Sequence, residues 1–438
     1  MRRQATRRDF ALLTVVAFAL LAATSTFEWS RADDASSWDV PLYQSFGDRM
    51  EAGALPYRDF EVEYPPGSLP AFLLPSLVAG DGTPVYEPVL NGPAREYARA
   101  FALLMALLLG VATVCTALSL SALRATIGAA AAALGLVAAS PLLLGELALT
   151  RFDALPVALT AGAVAALLHG RTRLAGLVLG LAIAVKLYPL LLLPLVALAV
   201  LRRAGRKEAA ITVAVAAAAF LATFAPFVVA APEETWFSIR AQLTRGLQVE
   251  SLPGSLALAL DSVADRLGLG SLGTGVDEGG TGEVRSADVT GSLGEVLGVA
   301  GGLAAAAIVV GLWLGARRRA GEPSRLVGDL AAVVAAQLAL GRVLSPQFLL
   351  WLVPLVPLVA GRSGRVATGL LALALAMTHV WFPELYRDFV NERGAAETGY
   401  LLLRNGLLLA ILAVLLVSRS PSSPTAAKRT KAGPAGTA

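Results

Sequence analysis

What most limits this chain is the length and number of its uninterrupted apolar runs. They lie at about 10–27, 97–121, 125–144, 154–169, 174–201, 209–231, 291–316, 326–361, 366–383 and 401–418. A helix needs about 20 apolar residues to cross the hydrocarbon of a bilayer, so the runs read as membrane spans. Two are too long for one crossing and carry breakers: Lys186-Leu-Tyr-Pro189 divides 174–201, and Arg342 to Gln347, with Pro346, divides 326–361. Interrupted backbone at membrane depth is tolerated only where protein or water satisfies it. Splitting both runs gives twelve expected spans in an all-α polytopic membrane protein. The apolar segment 67–80 is shorter and holds Pro70 and Pro75; it reads as an interfacial or juxtamembrane helix.

Composition supports lipid as the solvent. Of 438 residues, 56% are hydrophobic and only 16% charged, where a soluble domain carries about 25% charged residues. Mean hydropathy is +0.67. A soluble enzyme, a fibrous protein and a disordered chain are excluded. The single cysteine, Cys115, excludes an internal disulfide framework and a cysteine metal cluster. The basic balance does not point to nucleic acid, because the cations sit in short loops between apolar runs.

Those cations set an expected orientation. With the N-terminus inside, the inner segments carry Arg2, Arg3, Arg7 and Arg8, then Arg124, Arg171, Arg173, Arg202, Arg203, Arg206 and Lys207. Arg317, Arg318, Arg319, Arg325, Arg362, Arg365, Arg419, Lys428, Arg429 and Lys431 follow, against only Asp9, Glu208 and Glu322. Every short loop then obeys the positive-inside rule. A topology with 67–80 spanning and 174–201 unbroken would put Arg124, Arg171 and Arg173 outside, and ranks second. Thr6-Arg7-Arg8-Asp9-Phe10 resembles a twin-arginine export signal, but no small-residue cleavage site follows, so the first helix is expected to stay. The expected organisation is one membrane domain over 1–418 in a bacterial plasma membrane, with outer loops at 28–96 and 232–290. A disordered cytoplasmic tail is expected over 419–438.

Under this topology the chemistry-capable residues converge on the outer side. The first outer loop is dense in acids beside aromatics and rigid turns: Trp38-Asp39-Val-Pro-Leu-Tyr43, then Gly53-Ala-Leu-Pro-Tyr57-Arg58-Asp59-Phe60-Glu61-Val-Glu63-Tyr64-Pro65-Pro66. It reads as a site wall rather than a linker. Lys186 interrupts an apolar run, where a cation is costly unless it reaches water or an anion. Arg342-Val-Leu-Ser345-Pro346-Gln347 sits at the equivalent break. The outer loop after span seven offers Arg245, Gln248, Glu250 and Ser251. Arg151-Phe-Asp153, at the outer end of span four, reads equally well as an internal ion pair. Cations at the membrane mouths with carboxylates above them suit a lipid-linked anionic substrate. Other signals are weak. Gly268-Leu-Gly270-Ser-Leu-Gly273 follows no strand and is no dinucleotide site, and 268–291 reads as a mobile Gly-rich loop. Asp33-Asp34 forms no acid-x-acid clamp, and His169 and His379 fall on opposite sides, so no metal or other cofactor is expected.

These motifs, in this order, are similar to those of glycosyltransferase family 87, membrane enzymes of the GT-C fold. The pieces that carry the resemblance are Asp39-Val-Pro-Leu-Tyr43, Gly53 through Phe60 running into Glu63-Tyr64-Pro65-Pro66, and Lys186-Leu-Tyr-Pro189. Arg245-Gly-Leu-Gln248-Val-Glu250-Ser251 and Ser345-Pro346-Gln347-Phe-Leu-Leu-Trp351-Leu-Val-Pro354 complete them. The resemblance implies inverting transfer of a sugar, usually mannose, from a polyprenyl-phosphate carrier to a lipid or glycan acceptor on the outer face. It implies an acid of the first outer loop as catalytic base, a role that falls on Asp39. Substrate binding would fall on Tyr43, Tyr57, Arg58, Asp59, Glu63, Tyr64, Lys186, Arg245, Gln248, Glu250, Arg342, Ser345 and Gln347. Lys186, with Arg245 or Arg342, would stabilise the departing phosphate, and Trp38 and the tyrosines are candidates to stack on sugars. Some members carry a histidine pair after Ser-Pro; here Phe348-Leu-Leu-Trp351 stands in its place. Two other classes remain as alternatives. A transporter or lipid flippase would need charged relays deep in several spans, and a non-catalytic envelope subunit would tolerate loss of every outer acid.

Overall fold

A computed structural model describes residues 3–32, 39–79, 92–277, 287–318, 322–392 and 394–418. Trp38, Asp33-Asp34 and the 419–438 tail lie outside the described residues. The helices, in chain order, begin with α1 (Arg7–Ala32), α2 (Val40–Glu51), α3 (Leu69–Ala79), α4 (Gly92–Ala122) and α5 (Ile127–Leu144). There follow α6 (Leu147–Thr150), α7 (Ala154–Leu168), α8 (Thr172–Val185), α9 (Leu193–Ala230), α10 (Pro232–Leu243) and α11 (Leu252–Arg266). The last are α12 (Ser292–Arg318), α13 (Pro323–Leu340), α14 (Gly361–Val380), α15 (Tyr386–Glu392) and α16 (Ala395–Val417). The only described sheet is small and antiparallel, ordered β1-β3-β2, from Leu247–Gln248, Asp288–Thr290 and Gly275–Asp277 respectively. The ends of the 268–291 segment are therefore not a free linker: β3 pairs Val289 with Leu247 and Asp288 with Gln248, tying it to the Arg245–Ser251 strand.

The chain is an integral membrane protein with an all-α fold. Among the described residues, eight helices are long and apolar enough to cross a membrane: 7–30, 94–122, 127–144, 188–230, 292–318, 323–340, 361–389 and 395–417. Twelve independent long helices do not appear, for identifiable reasons. The 188–230 stretch is two helices that meet across a kink at Gly205, where φ of +84° lies in the left-handed region that glycine enters freely. The run after Pro346 becomes short 3₁₀ turns at 346–352 and 356–358. Pro346, Pro354 and Pro357 each withhold the N–H that a continuous helix needs. Helices α7 and α8 have only 15 and 14 residues.

Packing fixes which elements meet. In α8, a Cβ at Gly176 or Gly180 would stand 2.3 or 2.2 Å from the carbonyl oxygens of Thr212 and Ala216 in α9. This is the small-xxx-small contact by which membrane helices approach without side chains between them. Gly67 performs the same service for the first loop: its Cβ would lie 2.5–2.6 Å from the Ala184 carbonyl and the Val185 nitrogen. The Tyr64–Ser68 segment is thereby seated on the last turn of α8, directly before Lys186.

The helix ends gather into two groups. At one end, Ala5 N–H donates to the Ala125 carbonyl and Ile127 N–H to that of Arg3. Arg203 reaches the Leu167 carbonyl, Thr172 and Arg173 bind Glu208, and Arg202 reaches the Arg317 carbonyl. This basic end collects the segments that carry most of the arginines. At the opposite end lie the breaks after α8 and α13, the first loop, the 245–251 strand and the start of α16.

Candidate active site

The site begins where Lys186 ends α8. Pro189 disfavours helical backbone just before it and donates no N–H, and Lys186 takes an extended conformation (φ −155°, ψ 144°). Its ammonium points to Asp153, with Nζ 2.7 Å from Oδ1. Trp351 Nε1 donates to the same oxygen at 2.7 Å. Three rings enclose the ammonium, with centroids at 4.6 Å for Phe152, 4.6 Å for Phe348 and 5.4 Å for Trp351, close enough for cation–π attraction. Trp351 lies between Tyr188 and Phe348, at centroid distances of 4.0 and 4.1 Å and near-parallel planes. The break after α8 and the break after α13 thus meet face to face.

Asp39 enters from the first loop, immediately before α2. It forms an ion pair with Arg151, and Tyr43 Oη donates to its Oδ2 at 3.2 Å. Tyr43 is fully buried against Phe72, Phe101, Phe152 and Tyr64, with centroids 4.6–5.8 Å away. Asp39 and Lys186 therefore belong to one constellation, linked through three consecutive residues: Arg151 holds Asp39, Phe152 fills the space between, and Asp153 holds Lys186. The Arg151-Phe-Asp153 motif is not paired with itself. Its two charges turn to partners in other elements.

The remaining candidates divide. Arg245 is half-buried and lies within electrostatic reach of both Lys186 and Tyr64, with no ion pair among the described residues. Gln248 is buried; its N–H donates to the Arg342 carbonyl at 3.0 Å and its Oε1 accepts from Ser345 at 3.5 Å. That places Ser345 and the 245–251 strand together. The Arg342 side chain is exposed and Gln347 is half-buried. Glu63 has a buried Oε1 with no hydrogen-bond partner among the described residues, and its carbonyl accepts from Gln242 at 2.9 Å. Tyr57 spends its hydroxyl on the Tyr64 carbonyl at 2.7 Å, with its ring against Phe227. Asp59 accepts from Leu55 N–H at 2.7 Å and from Arg58. The Arg58 guanidinium and the Leu55 N–H hold its carboxyl down to about 2. Tyr57, Arg58 and Asp59 thus fold the loop on itself, whereas Tyr43 and Tyr64 form the aromatic bed beneath Asp39.

Glu250 is buried, and burial pushes its carboxyl up to about 7 against the opposing pull of Arg404. Its carbonyl accepts from Arg404 Nη2 at 2.6 Å and from Asn405 Nδ2 at 3.1 Å. Arg404 and Asn405 are fully buried in α16 and were not among the candidate residues. The sequence carries the signal for them, since a charged residue inside an apolar run is rarely idle. No three His, Cys, Asp or Glu side chains come together as a metal-binding group among the described residues. His379 packs its ring over Gly145 and pairs Nδ1 with the Leu142 carbonyl at 3.0 Å.

Chemically, the arrangement offers one carboxylate beside an aromatic bed, a caged ammonium, and a half-buried guanidinium with no anionic partner among the described residues. That is equipment for binding an anion next to a hydroxyl-bearing group. No curated protein matches the chain. The family model described as glycosyltransferase family 87 matches residues 63–346, which takes in Glu63, Tyr64, Lys186, Arg245, Gln248, Glu250, Arg342 and Ser345 but begins after Asp39. With that match over more than half of its length, the chain belongs to glycosyltransferase family 87.

Proposed function

We propose that this glycosyltransferase moves a sugar, mannose in the simplest case, from a polyprenyl-phosphate carrier to a lipid or glycan hydroxyl on the extracytoplasmic face, within a GT-C-like fold. Asp39 is the general base. Its carboxylate takes the proton of the acceptor hydroxyl as that oxygen forms its bond to the anomeric carbon, while the bond from that carbon to the phosphate oxygen breaks. The electron pair leaves on the phosphate, and the configuration inverts. General-base assistance of this kind is worth roughly 10²–10⁴ in rate. Arg245 and Lys186 stabilise the departing phosphate by fixed charge. Arg245 is the stronger candidate, because the charge of Lys186 is already matched by Asp153. Tyr43 and Tyr64 support Asp39 from beneath rather than stacking on the sugar, since both rings are buried against other rings.

The observation that carries this reading is the single constellation joining Asp39 to Lys186 through residues 151–153. The sidedness rests on the basic end of the bundle, whose arginines belong in the cytoplasm by the positive-inside rule, leaving the constellation outside. The test is reconstitution in vesicles with labelled polyprenyl-phosphate-mannose. Wild-type protein is expected to form a new glycosidic bond, and Asp39→Asn is expected to insert normally and form none. Movement of label without new bonds, or undiminished transfer by Asp39→Asn, overturns the proposal. Replacing Cys115 with serine and adding Arg58→Cys or Arg206→Cys tests sidedness: only the first variant should react with an impermeant thiol reagent from outside.

A further inference from the structure

Arg151 is buried, with a relative exposure of 7%, yet two of its nitrogens, Nε and Nη1, have no hydrogen-bond partner among the described residues. The ion pair to Asp39 is made by Nη1 without hydrogen-bond alignment, and the guanidinium carbon lies 5.8 Å from the Phe382 ring centroid. A guanidinium has five N–H donors in a planar fork that matches two anionic oxygens at once. Here most of that capacity is unspent, in surroundings where an unspent donor is costly. Asp39 does not depend on Arg151 alone for its position, because Tyr43 also holds its Oδ2.

We propose that Arg151 is a contact of the donor's phosphate, and that the phosphate and Asp39 compete for it. In the free enzyme the guanidinium sits on the carboxylate. When the lipid phosphate arrives, its oxygens take the fork in a bidentate arrangement, and Oδ2 of Asp39 is released to receive the acceptor hydroxyl. Oδ2 offers two lone pairs and is engaged by both Tyr43 and Arg151, so this oxygen has room for an incoming hydroxyl only once the guanidinium has moved to the donor. The neighbouring cations are less suited to this exchange. Lys186 is bound to Asp153 and caged by rings. Arg404, whose Nε and Nη1 also have no hydrogen-bond partner among the described residues, has its Nη2 on the Glu250 carbonyl rather than beside Asp39. The inference rests on the reading of Asp39 as base and of the donor as a lipid phosphate, and it adds the residue that couples the two.

The test uses polyprenyl phosphate, which carries the phosphate but no sugar, titrated into the full-length protein in nanodiscs. Arg151→Gln is expected to weaken binding about tenfold, the loss of one charge-assisted fork. Asp39→Asn, which frees the guanidinium, is expected to tighten it several-fold, and to do nothing when Arg151→Gln is also present. If Asp39→Asn leaves binding unchanged, or tightens it equally in the Arg151→Gln background, Arg151 does not exchange and the inference fails. Should Arg151→Gln not fold, Arg151→Lys keeps the charge and loses the fork. It is expected to bind more weakly than wild type and to show a smaller Asp39→Asn effect; behaviour identical to wild type overturns the inference. Because no sugar is transferred, these outcomes do not depend on which sugar the carrier brings, and a wild-type protein that fails to bind polyprenyl phosphate overturns the lipid-phosphate reading itself.

Discussion

The two ends of the helix bundle use the same charged residues in opposite ways. At the basic end, Arg3 pairs with Asp9 at 3.0 Å with side-chain exposures of 68% and 24%, and Arg173 with Glu208 at 3.1 Å with 65% and 21%. At the other end, Arg151 and Asp39 are 8% and 12% exposed, and Lys186 and Asp153 12% and 1%. Exposed pairs are screened and contribute little to stability. Buried pairs carry a desolvation penalty that their attraction only partly offsets, and removing one partner strands a charge. A chain selected only to fold could keep its charges where they are cheap, as the basic end does. The other end bears the penalty at two neighbouring pairs, and buried, charge-coupled clusters of that kind concentrate at functional sites.

The largest expected effect follows from this contrast. Asp39→Asn should lower sugar transfer by roughly 10²–10⁴, the usual worth of a general base, while Asp9→Asn at the basic end should leave transfer within about twofold of wild type, as surface pairs do. Equal losses at the two positions would remove the distinction between the ends. Next in size is Asp153→Ala. It takes the shared acceptor from both Lys186 and Trp351 and should cost about 3–5 kcal/mol, the usual penalty for breaking a buried pair. Thermal unfolding in detergent checks it against Glu208→Gln, whose midpoint should stay close to wild type.

Much of this architecture is legible in the residues, but the pairings are not. The breaks at Lys186-Leu-Tyr-Pro189 and Ser345-Pro346 stand out because a cation or a proline in an apolar run has few explanations. The segregation of arginines into alternate loops carries the two-ended organisation. Which charge meets which is another matter. Arg151 and Asp153 sit two residues apart and invite pairing with each other, yet Asp153 takes partners 33 and 198 residues away. Those choices are made by the tertiary approach of α7, α8 and the 346–352 turn. Arg404 shows the reverse: its position within the 401–418 run is a readable signal, and its partner, the Glu250 carbonyl 154 residues earlier, is not. The number of long helices differs from the number of apolar runs because proline and Gly205 decide continuity, which hydropathy does not register.

A smaller effect tests how the first loop is held against the site. Gly67→Ala would put a methyl group 2.5–2.6 Å from the Ala184 and Val185 backbone, forcing the loop off α8. Overpacking of this kind costs about 1–3 kcal/mol, and transfer should fall with it because the segment between Asp39 and Lys186 shifts. Gly128, at the basic end, has nothing within 4 Å of its Cβ position, so Gly128→Ala should change neither melting nor transfer. A Gly67→Ala protein with unaltered activity would mean that the contact to α8 does not position the site.

The smallest effect separates two carboxylates in loops at the same end. Burial raises Glu250 to about 7 from an ordinary 4.5. Between those values the folded chain holds a proton that the unfolded chain has released, so stability falls as pH rises across that window. Asp59 is shifted the other way, from 3.8 to about 2, by Arg58 and the Leu55 N–H. Its contribution is present above the ordinary value and is lost as pH falls toward 2, and solvent screening keeps it small because the group is exposed. Melting of the detergent-solubilised protein between about pH 5 and pH 8 should therefore decline in wild type and be flatter in Glu250→Gln, as the linkage of a raised carboxyl demands. The Asp59→Asn profile should track wild type over the same range. Parallel curves for wild type and Glu250→Gln would mean that water or Arg404 compensates the buried carboxylate, and that the charge burial separating the two ends does not extend to the 245–251 strand.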